Sequence, residues 1–405
     1  MPRRVVITGM GAIRALGLGA DPLWRGMMAG RSGIVPLLSP DPTVEIRMKV
    51  GAVVPGFDPS LHFDRSRLLL LDRVSQFALV AAREAVAQAG IDFRQDGAGA
   101  RSCVVVGTGV GGETSRDEQS RRIYRDNAER AHPMTIVRTM SNAPASHLSM
   151  EFGLTGPTFA VSSACASSNH ALAQAALMIR HGLADHALAG GSEACFSFGG
   201  IRAWEAMRVV SDDTCRPFCA QRRGLVLGEG AAIFVLESLE HAQARGAKIL
   251  AELAGFGMNA DATDIVAPSA EGAAQAMRLA LADAGLQASQ VGYINAHGTG
   301  TSANDPTETR AIRQAFGAHA DRLAVSSTKA VHGHALGAAG ALELVAAIGA
   351  LSTGTLPPTA NFLDPDPECD LDYLPNTARA CTVEAVLSNS FAFGGLNAVL
   401  ALTSP

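Results

Sequence analysis

The sequence predicts an α/β protein built from two duplicated halves, and three observations predict it. Short β-branched runs alternate with Ala/Leu-rich stretches of helical period along most of the chain, the pattern of sheets covered by helices on both faces. One segment recurs: Ala160-Val161-Ser162-Ser163 returns 164 residues on as Ala324-Val325-Ser326-Ser327, and at the same spacing His170-Ala171-Leu172 returns as His334-Ala335-Leu336. Both copies run into an Ala/Gly-rich helix, so the repeat divides the chain into units 1–248 and 249–405, with Cys165 falling on Lys329. Finally, 42 Gly in 405 residues, 47% of them hydrophobic and none in a low-complexity run, point to close backbone packing in large cores.

The elements follow in order. Residues 5–8 are a short apolar strand ending at Gly9 and Gly11, ahead of a helix-forming stretch. Residues 72–89 carry apolar side chains at helical spacing and stop at Gly90. Residues 102–106 are β-rich and lead into Gly107-Thr108-Gly109-Val110-Gly111-Gly112. That loop formally holds GxGxxG after a strand, as a dinucleotide-binding unit does. The stretch after it, 113–127, is too charged to pack on a sheet as such a unit's helix would, so a tight glycine turn beside a buried site competes with that reading. Residues 160–179 read as a strand end, a small-residue turn and a helix running to Arg180, with Gly182 as its stop. Strand 186–189 and a loop at 190–193 follow, then strands over 225–236 broken at Gly228 and Gly230. A second series opens at 248–258 and gives helix 272–284, strand 291–296, helix 306–316 and strand 323–326. It closes with a turn at 329–334, helix 335–350 and a glycine-rich aromatic turn at 389–395.

Composition excludes several functions. A net charge of −5 without a Lys/Arg run gives no reason to expect nucleic acid. An acidic partner would need a local basic patch. Arg65, Arg67 and Arg73, or Arg121, Arg122 and Arg125, are the candidates, with ordinary solvated faces as the competing reading. The seven cysteines form no CxxC pair and no Cys/His ligand spacing, so no metal site is expected, and reduced thiols fit a cytoplasmic protein. The N-terminal run reads as strand and turn because Gly9, Gly11 and Arg14 interrupt it, unlike a signal peptide. Residues 152–179 lack Asp, Glu, Lys and Arg, as a membrane span would. Ser162, Ser163, Ser167, Ser168, Asn169, His170 and Gln174 argue instead for a buried core helix, and no span is expected.

Four segments concentrate chemistry. Cys165 sits on a small-residue turn at a helix start, where the positive end of the dipole favours thiolate. A lone cysteine is more often an inert core residue. Asn295-Ala296-His297-Gly298-Thr299-Gly300-Thr301 places His297 at the carboxyl end of a strand, where α/β active sites collect. Lys329, His332 and His334 lie on one turn, and Phe391 and Phe393 on another beside Gly394 and Gly395. A thiol, two imidazoles and backbone N–H groups are the complete kit for acyl transfer.

These segments carry a resemblance. SACAS at 163–167, NAHGTGT at 295–301, SSTKAVHGHALGAAG at 326–340 and NSFAFGGLN at 389–397 are similar to the β-ketoacyl-acyl-carrier-protein synthases. These are condensing enzymes of the KAS I/II type in the thiolase-like superfamily. The segment from Trp204 to Ala232 resembles most the nodulation-type branch. The resemblance implies a thiolase-like fold in a layered αβαβα arrangement and a Cys-His-His elongating enzyme with no cofactor. Its partners would be acyl carrier proteins bearing acyl and malonyl groups. It would pair as a homodimer, or as a heterodimer with a chain-length-factor-like subunit in a polyene or polyketide pathway. Cys165 would take the acyl chain, its oxyanion held by the N–H groups of Cys165 and Phe393. His297 and His334 would bind the malonyl carbonyl through decarboxylation. Lys329, partnered by Glu343, would order the site and hold His334 neutral. Phe393 would gate it, Val110 would floor the acyl pocket by the dimer interface, and Phe391, Thr299 and Thr301 would support it.

Four positions depart from the family pattern. Leu225 replaces a ring near the malonyl group, and His332 stands where Thr is common, with GHALG keeping the catalytic role on His334. Ala392 and Leu396 replace Gly and Thr, which stiffens the gate turn. Two other functions compete with an active condensing enzyme. A non-catalytic chain-length subunit would lack Cys165, and a dinucleotide oxidoreductase would need the 107–112 loop to bind NAD(P). His170 reads as a satisfied core histidine.

Overall fold

A computed structural model describes residues 2–95 and 97–405. Ten strands form one sheet: β1 (Val5–Arg14), β2 (Ser102–Gly107), β3 (Thr158–Val161), β4 (His186–Glu193), β5 (Gly230–Ser238), β6 (Ala251–Ala260), β7 (Val291–Asn295), β8 (Ala324–Ser326), β9 (Ala385–Ala392) and β10 (Leu396–Thr403). A two-residue strand, Gly17–Leu18, pairs with β1. The helices that matter here are α1 (Arg73–Ala89), α2 (Glu113–Tyr124), α3 (Ala143–Phe152), α4 (Ser167–Arg180) and α5 (Phe198–Met207). The second half adds α6 (Ala270–Ala284), α7 (Asn304–Phe316), α8 (Lys329–His332) and α9 (Ala339–Thr353).

Spatial order is β8-β7-β9-β10-β6-β1-β5-β4-β2-β3. Read outward from the centre, the first half runs β1-β5-β4-β2-β3 and the second β6-β10-β9-β7-β8, the same order with every label raised by five. Strand directions match as well. β3, β2 and β4 are parallel, as are β8, β7 and β9, and the inner strands of each half are antiparallel. Within the sheet the halves join where β1 and β6 pair at Val6–Glu252 and Ile7–Ala251. Helices α4 and α9 fill the middle and touch strands of both halves, while α1 and α6 cover the outer faces. The result is the layered αβαβα arrangement. One core draws residues from both halves, from Val5 and Leu172 to Val345 and Leu402. Every residue of α9 from Ala339 to Ala350 is buried, which explains its uncharged run apart from Glu343. Leu336–Thr353 is long and apolar enough to cross a membrane, but 89% of it is buried inside the fold.

The strands run longer than the sequence pattern suggests, because glycine marks close approach here and not termination. β1 continues through Gly9 and Gly11 to Arg14; a Cβ at either glycine would collide with the Ala85 or Ala81 carbonyl oxygen of α1. β6 repeats the device with Gly255 and Gly257 against α6. Gly11→Ala is therefore expected to lower stability by about 2 kcal/mol through overpacking. A fall in the calorimetric midpoint checks it, and an unmoved midpoint would mean that α1 can back away freely.

Residues 190–193 are likewise strand, not loop. Gly191 passes under Ser168 and the Gly337 carbonyl, where no side chain fits. Residues 389–392 belong to β9, with only 393–395 turning. Over 225–236 the regular strand starts at Gly230; Leu225 and Leu227 make isolated bridges.

The repeat holds for the strands but not for the register read through Cys165. A 3-10 turn at Ala164–Ala166 precedes α4, and its twin at Leu336–Ala338 precedes α9, 172 residues on. Ala164 and Leu336 share the same unusual φ, 47° and 44°. The structural counterpart of Cys165 is therefore Gly337, not Lys329. The second half carries extra residues between strand and helix, among them α8 and His334, which have no counterpart in the first. The match of His170 to His334 is coincidental.

Candidate active site

Cys165 reaches its place through a strained turn. β3 ends at Val161, and Ala164 takes a left-handed backbone that only a tightly held turn sustains for a residue with a side chain. Ser167 closes it: its Oγ donates to the Ala164 carbonyl at 2.7 Å and accepts from Ser163 N at 2.9 Å. Asn169, on the first turn of α4, donates to the Ser388 and Ala398 carbonyls of the other half at 3.2 and 3.1 Å. The sulfur faces a cavity of about 120 Å3 that is also lined by His297, His334, Thr299, Thr301, Phe391 and Phe393.

His334 Nε2 lies 3.0 Å from Cys165 Sγ, and the His297 and His334 rings stand edge to face with centroids 5.4 Å apart. Glu308, on α7, fixes His297 by accepting from His297 N and Gly298 N, each at 2.8 Å. Lys329 lies behind the pair, fully buried, and donates to the His297 carbonyl at 2.5 Å and to the Glu343 carboxylate. Its Nζ is also 3.4 Å from His297 Nδ1, which leaves Nε2 of His297 as the protonated nitrogen facing the cavity. His334 Nδ1 has no partner among the described residues, so nothing pins that ring's tautomer.

Burial, then the charge on Lys329, holds His297 and His334 well below the usual histidine range, so both rings are neutral. Burial also governs the sulfur. Cys165 sits in the turn ahead of α4, and desolvation pushes its thiol up to about 12, with Lys329 pulling down and Glu193 and Glu343 pushing further up. This departs from the thiolate expected at a helix start: the loss of water on burial favours the neutral thiol. At rest the site holds a thiol hydrogen-bonded to a neutral imidazole.

Other sequence-picked residues have clear places. Thr299 and Thr301 share a hydrogen bond at 2.9 Å. Phe393 stacks on Trp204, centroids 6.3 Å apart and 24° between planes, and Gly394 N donates to the Ile265 carbonyl at 2.8 Å. Leu225 shares the cavity wall with Trp204. His332 turns away to Thr328 Oγ1 at 3.0 Å, and burial pushes it down to about 3. His170 binds Ser163 Oγ at 2.8 Å, a satisfied histidine. Val110 does not line the cavity. Its loop wraps a carboxylate, Glu193, which accepts from Gly109 N and Val110 N. The glycine loop is thus a backbone cradle for a protein acid.

Glu193, Asp305 and Glu308 escaped the sequence reading. Asp305 accepts from Phe218 N at 2.7 Å and Gly300 N at 3.2 Å, fixing the loop after His297. The available signal was acids inside apolar or glycine-rich stretches (GGSEAC and NDPTET), where a carboxylate needs backbone donors.

Of the proposed basic patches, Arg67 pairs with Glu151, Arg73 with Glu229 and Arg125 with Asp41, whereas Arg65 and Arg121 are exposed. A larger cleft of about 550 Å3 lies between α2 and α5, away from the sulfur; Asp117 there caps α5 and Asp41 holds Arg125. Among the described residues two clusters have metal-ligand spacing, Cys165-His297-His334 and His186-Glu237-His241, each with its donor atoms within 4.8 Å. Neither suits a cation. Lys329 faces His297 in the first, and Arg245 takes both oxygens of Glu237 in the second.

The family descriptions "Beta-ketoacyl synthase, N-terminal domain" and "Beta-ketoacyl synthase, C-terminal domain" match residues 2–242 and 250–363. The chain is 51% identical to Nodulation protein E of Rhizobium sp. (strain N33), over 99% of each chain. It is 41% identical to 3-oxoacyl-[acyl-carrier-protein] synthase 2 of Coxiella burnetii, over 99% of this chain and 98% of that one. A solved structure described as the ishigamide ketosynthase/chain length factor superposes with a TM-score of 0.94 at 36% identity, over all of both chains.

Proposed function

The chain belongs to the β-ketoacyl synthase family and is a condensing enzyme, and from that premise we propose that Cys165 carries the acyl chain and His297 and His334 activate the malonyl unit. The observation that carries this reading is the contact of Cys165 Sγ with His334 Nε2 at 3.0 Å, with His297 across the same small cavity.

In the first step Sγ attacks the carbonyl of an acyl thioester on acyl carrier protein. The thiol proton passes to His334 Nε2 as the S–C bond forms, and the departing carrier thiolate takes it back. The N–H groups of Cys165 and Phe393 hold the oxyanion. The unpinned His334 ring moves its proton from Nδ1 to Nε2, and a malonyl thioester then seats its carbonyl oxygen on the Nε2–H groups of both imidazoles. The bond to the carboxylate breaks, CO2 leaves, and the electron pair moves to that oxygen as an enolate. The carbon attacks the acyl-cysteine, a C–C bond forms, and the C–S bond breaks with its electrons returning to Sγ, which takes a proton from solvent to restore the thiol. Lys329 serves by keeping the imidazoles neutral and His297 Nε2 protonated, so both can donate where charge develops. The product is a β-ketoacyl chain of fatty-acyl, polyene or polyketide type.

We propose a homodimer through the open edge of β3, which pairs only with β2. Met150, on the helix α3 that packs against β3, is 65% exposed, an apolar side chain beside that open edge. The likeness to a ketosynthase/chain length factor favours a heterodimer as the second reading. The cysteines, all free, fit a cytoplasmic enzyme.

Mass spectrometry tests the whole reading. Incubation with acyl-carrier-protein donors of graded length should leave an acyl mass on Cys165, and adding malonyl donor should release CO2. Under native conditions the particle should weigh two chains. Folded protein that stays unmodified with every donor would sink the mechanism, and a single-chain mass would sink the homodimer.

A further inference from the structure

We infer that Glu193 is a positioning residue that holds Cys165 and His334 in register across the two halves, and so governs the acyl-loading step. The inference rests on the condensation proposed above.

Glu193 ends β4 and is fully buried. Its carboxylate accepts from Gly109 N at 2.6 Å, Gly337 N at 2.9 Å, Thr108 Oγ1 at 3.0 Å and Val110 N at 3.3 Å. The glycines are required by contact: a Cβ on Gly109 would stand 2.8 Å from Glu193 Oε2, and one on Gly337 2.7 Å. The node ties together two segments that move the reacting atoms. On one side the 108–110 loop is fastened to the Cys165 turn, since Ser162 Oγ donates to the Gly109 carbonyl at 3.3 Å, with Ser167 Oγ, whose proton goes to the Ala164 carbonyl, packed 3.5 Å from the Thr108 carbonyl. On the other, Gly337 lies in the 3-10 turn that follows His334 and is the structural counterpart of Cys165 itself. Ser168 Oγ reaches across to the Gly337 carbonyl and closes the circuit. A buried carboxylate that spans two halves with four donors is an expensive feature unless their relative placement matters. The distance it sets is that between sulfur and imidazole.

Glu193→Gln keeps the shape but turns an amide N–H2 toward backbone N–H donors. It should slow acyl loading of Cys165 by about tenfold, as expected when hydrogen bonds to a charged group are lost. Malonyl decarboxylation needs the two imidazoles but not the sulfur. Measured in a Cys165→Ala background, it should fall by less than loading does when Glu193→Gln is added, because the Val226 carbonyl still holds His334 N at 2.7 Å. Thr108→Val, a milder change that removes one donor and keeps the charge, should show the same split with a smaller loss. A merely structural role would lower both steps together and depress the melting temperature. An equal fall in loading and decarboxylation, or unchanged loading, overturns the inference. Wild-type protein that takes no acyl group on Cys165 overturns the condensation reading itself, and this inference with it.

Discussion

Cys165→Ala is expected to take no acyl mass from any acyl-carrier-protein donor and to lose condensation by roughly 10^4-fold or more, the scale seen when a covalent nucleophile is removed. The residual matters as much as the loss. His297, His334 and Lys329 do not depend on the sulfur for their positions: Glu308 holds His297, the Val226 carbonyl holds His334 N at 2.7 Å, and Glu343 holds Lys329. The variant should therefore still release CO2 from malonyl thioester, now uncoupled from chain extension. Radiometric CO2 release together with intact-protein mass reads both quantities on one sample. Condensation at wild-type rate in the alanine variant would remove Cys165 from the mechanism. Loss of decarboxylation along with condensation would mean that the sulfur organises the histidines, contrary to the hydrogen bonds that fix them.

Much of this site was legible before the structure, and the reason is local chemistry. A thiol on a small-residue turn, a histidine closing a strand and a lysine near a histidine are each short-range patterns, and the structure gathers Cys165, His297 and His334 into one cavity with Lys329 behind them. The recurring Ala-Val-Ser-Ser falls on β3 and β8, which hold matching outer places in the strand order, because strand sequence follows burial on both faces. What stayed hidden depends on distance along the chain. The extra residues around α8 shift the helix register without disturbing the apparent match at His334, so only the twin turns at Ala164 and Leu336 disclose that Gly337 mirrors the nucleophile. Glu193 reads as an ordinary acid until its backbone donors come from segments remote in sequence, and Glu308 until the fold turns the loop at 297–298 back onto its helix. The thiol's state departs from expectation for a related reason: the helix start is visible in sequence, whereas the desolvation that favours the neutral thiol is a property of the packed core.

His297→Ala and His334→Ala test the other half of the chemistry, and the two should differ. Each removes one donor to the enolate oxygen, so each should lower decarboxylation by about 10^2–10^3-fold, the cost of losing one preorganised donor to an oxyanion. Acyl loading separates them. His334 touches the sulfur and has an unpinned ring, so it can take the thiol proton. His297 is held by Lys329 as a donor and lies beyond hydrogen-bonding reach of Sγ among the contacts found. His297→Ala should therefore load acyl groups at close to the wild-type rate, whereas His334→Ala should load slowly and recover as pH rises toward the thiol's own ionisation. In the wild-type enzyme both imidazoles are held below the ordinary histidine range, so falling pH does not protonate them until well under 6.5. Decarboxylation should accordingly stay level from pH 7.5 to about 6 instead of dropping with an ordinary histidine titration. Single-turnover loading and CO2 release across that range decide the matter. Equal loading by the two variants would assign the thiol's proton to some other acceptor, and a rate that halves near pH 6.5 would show that a cationic imidazole is formed where the burial of both rings says it is not.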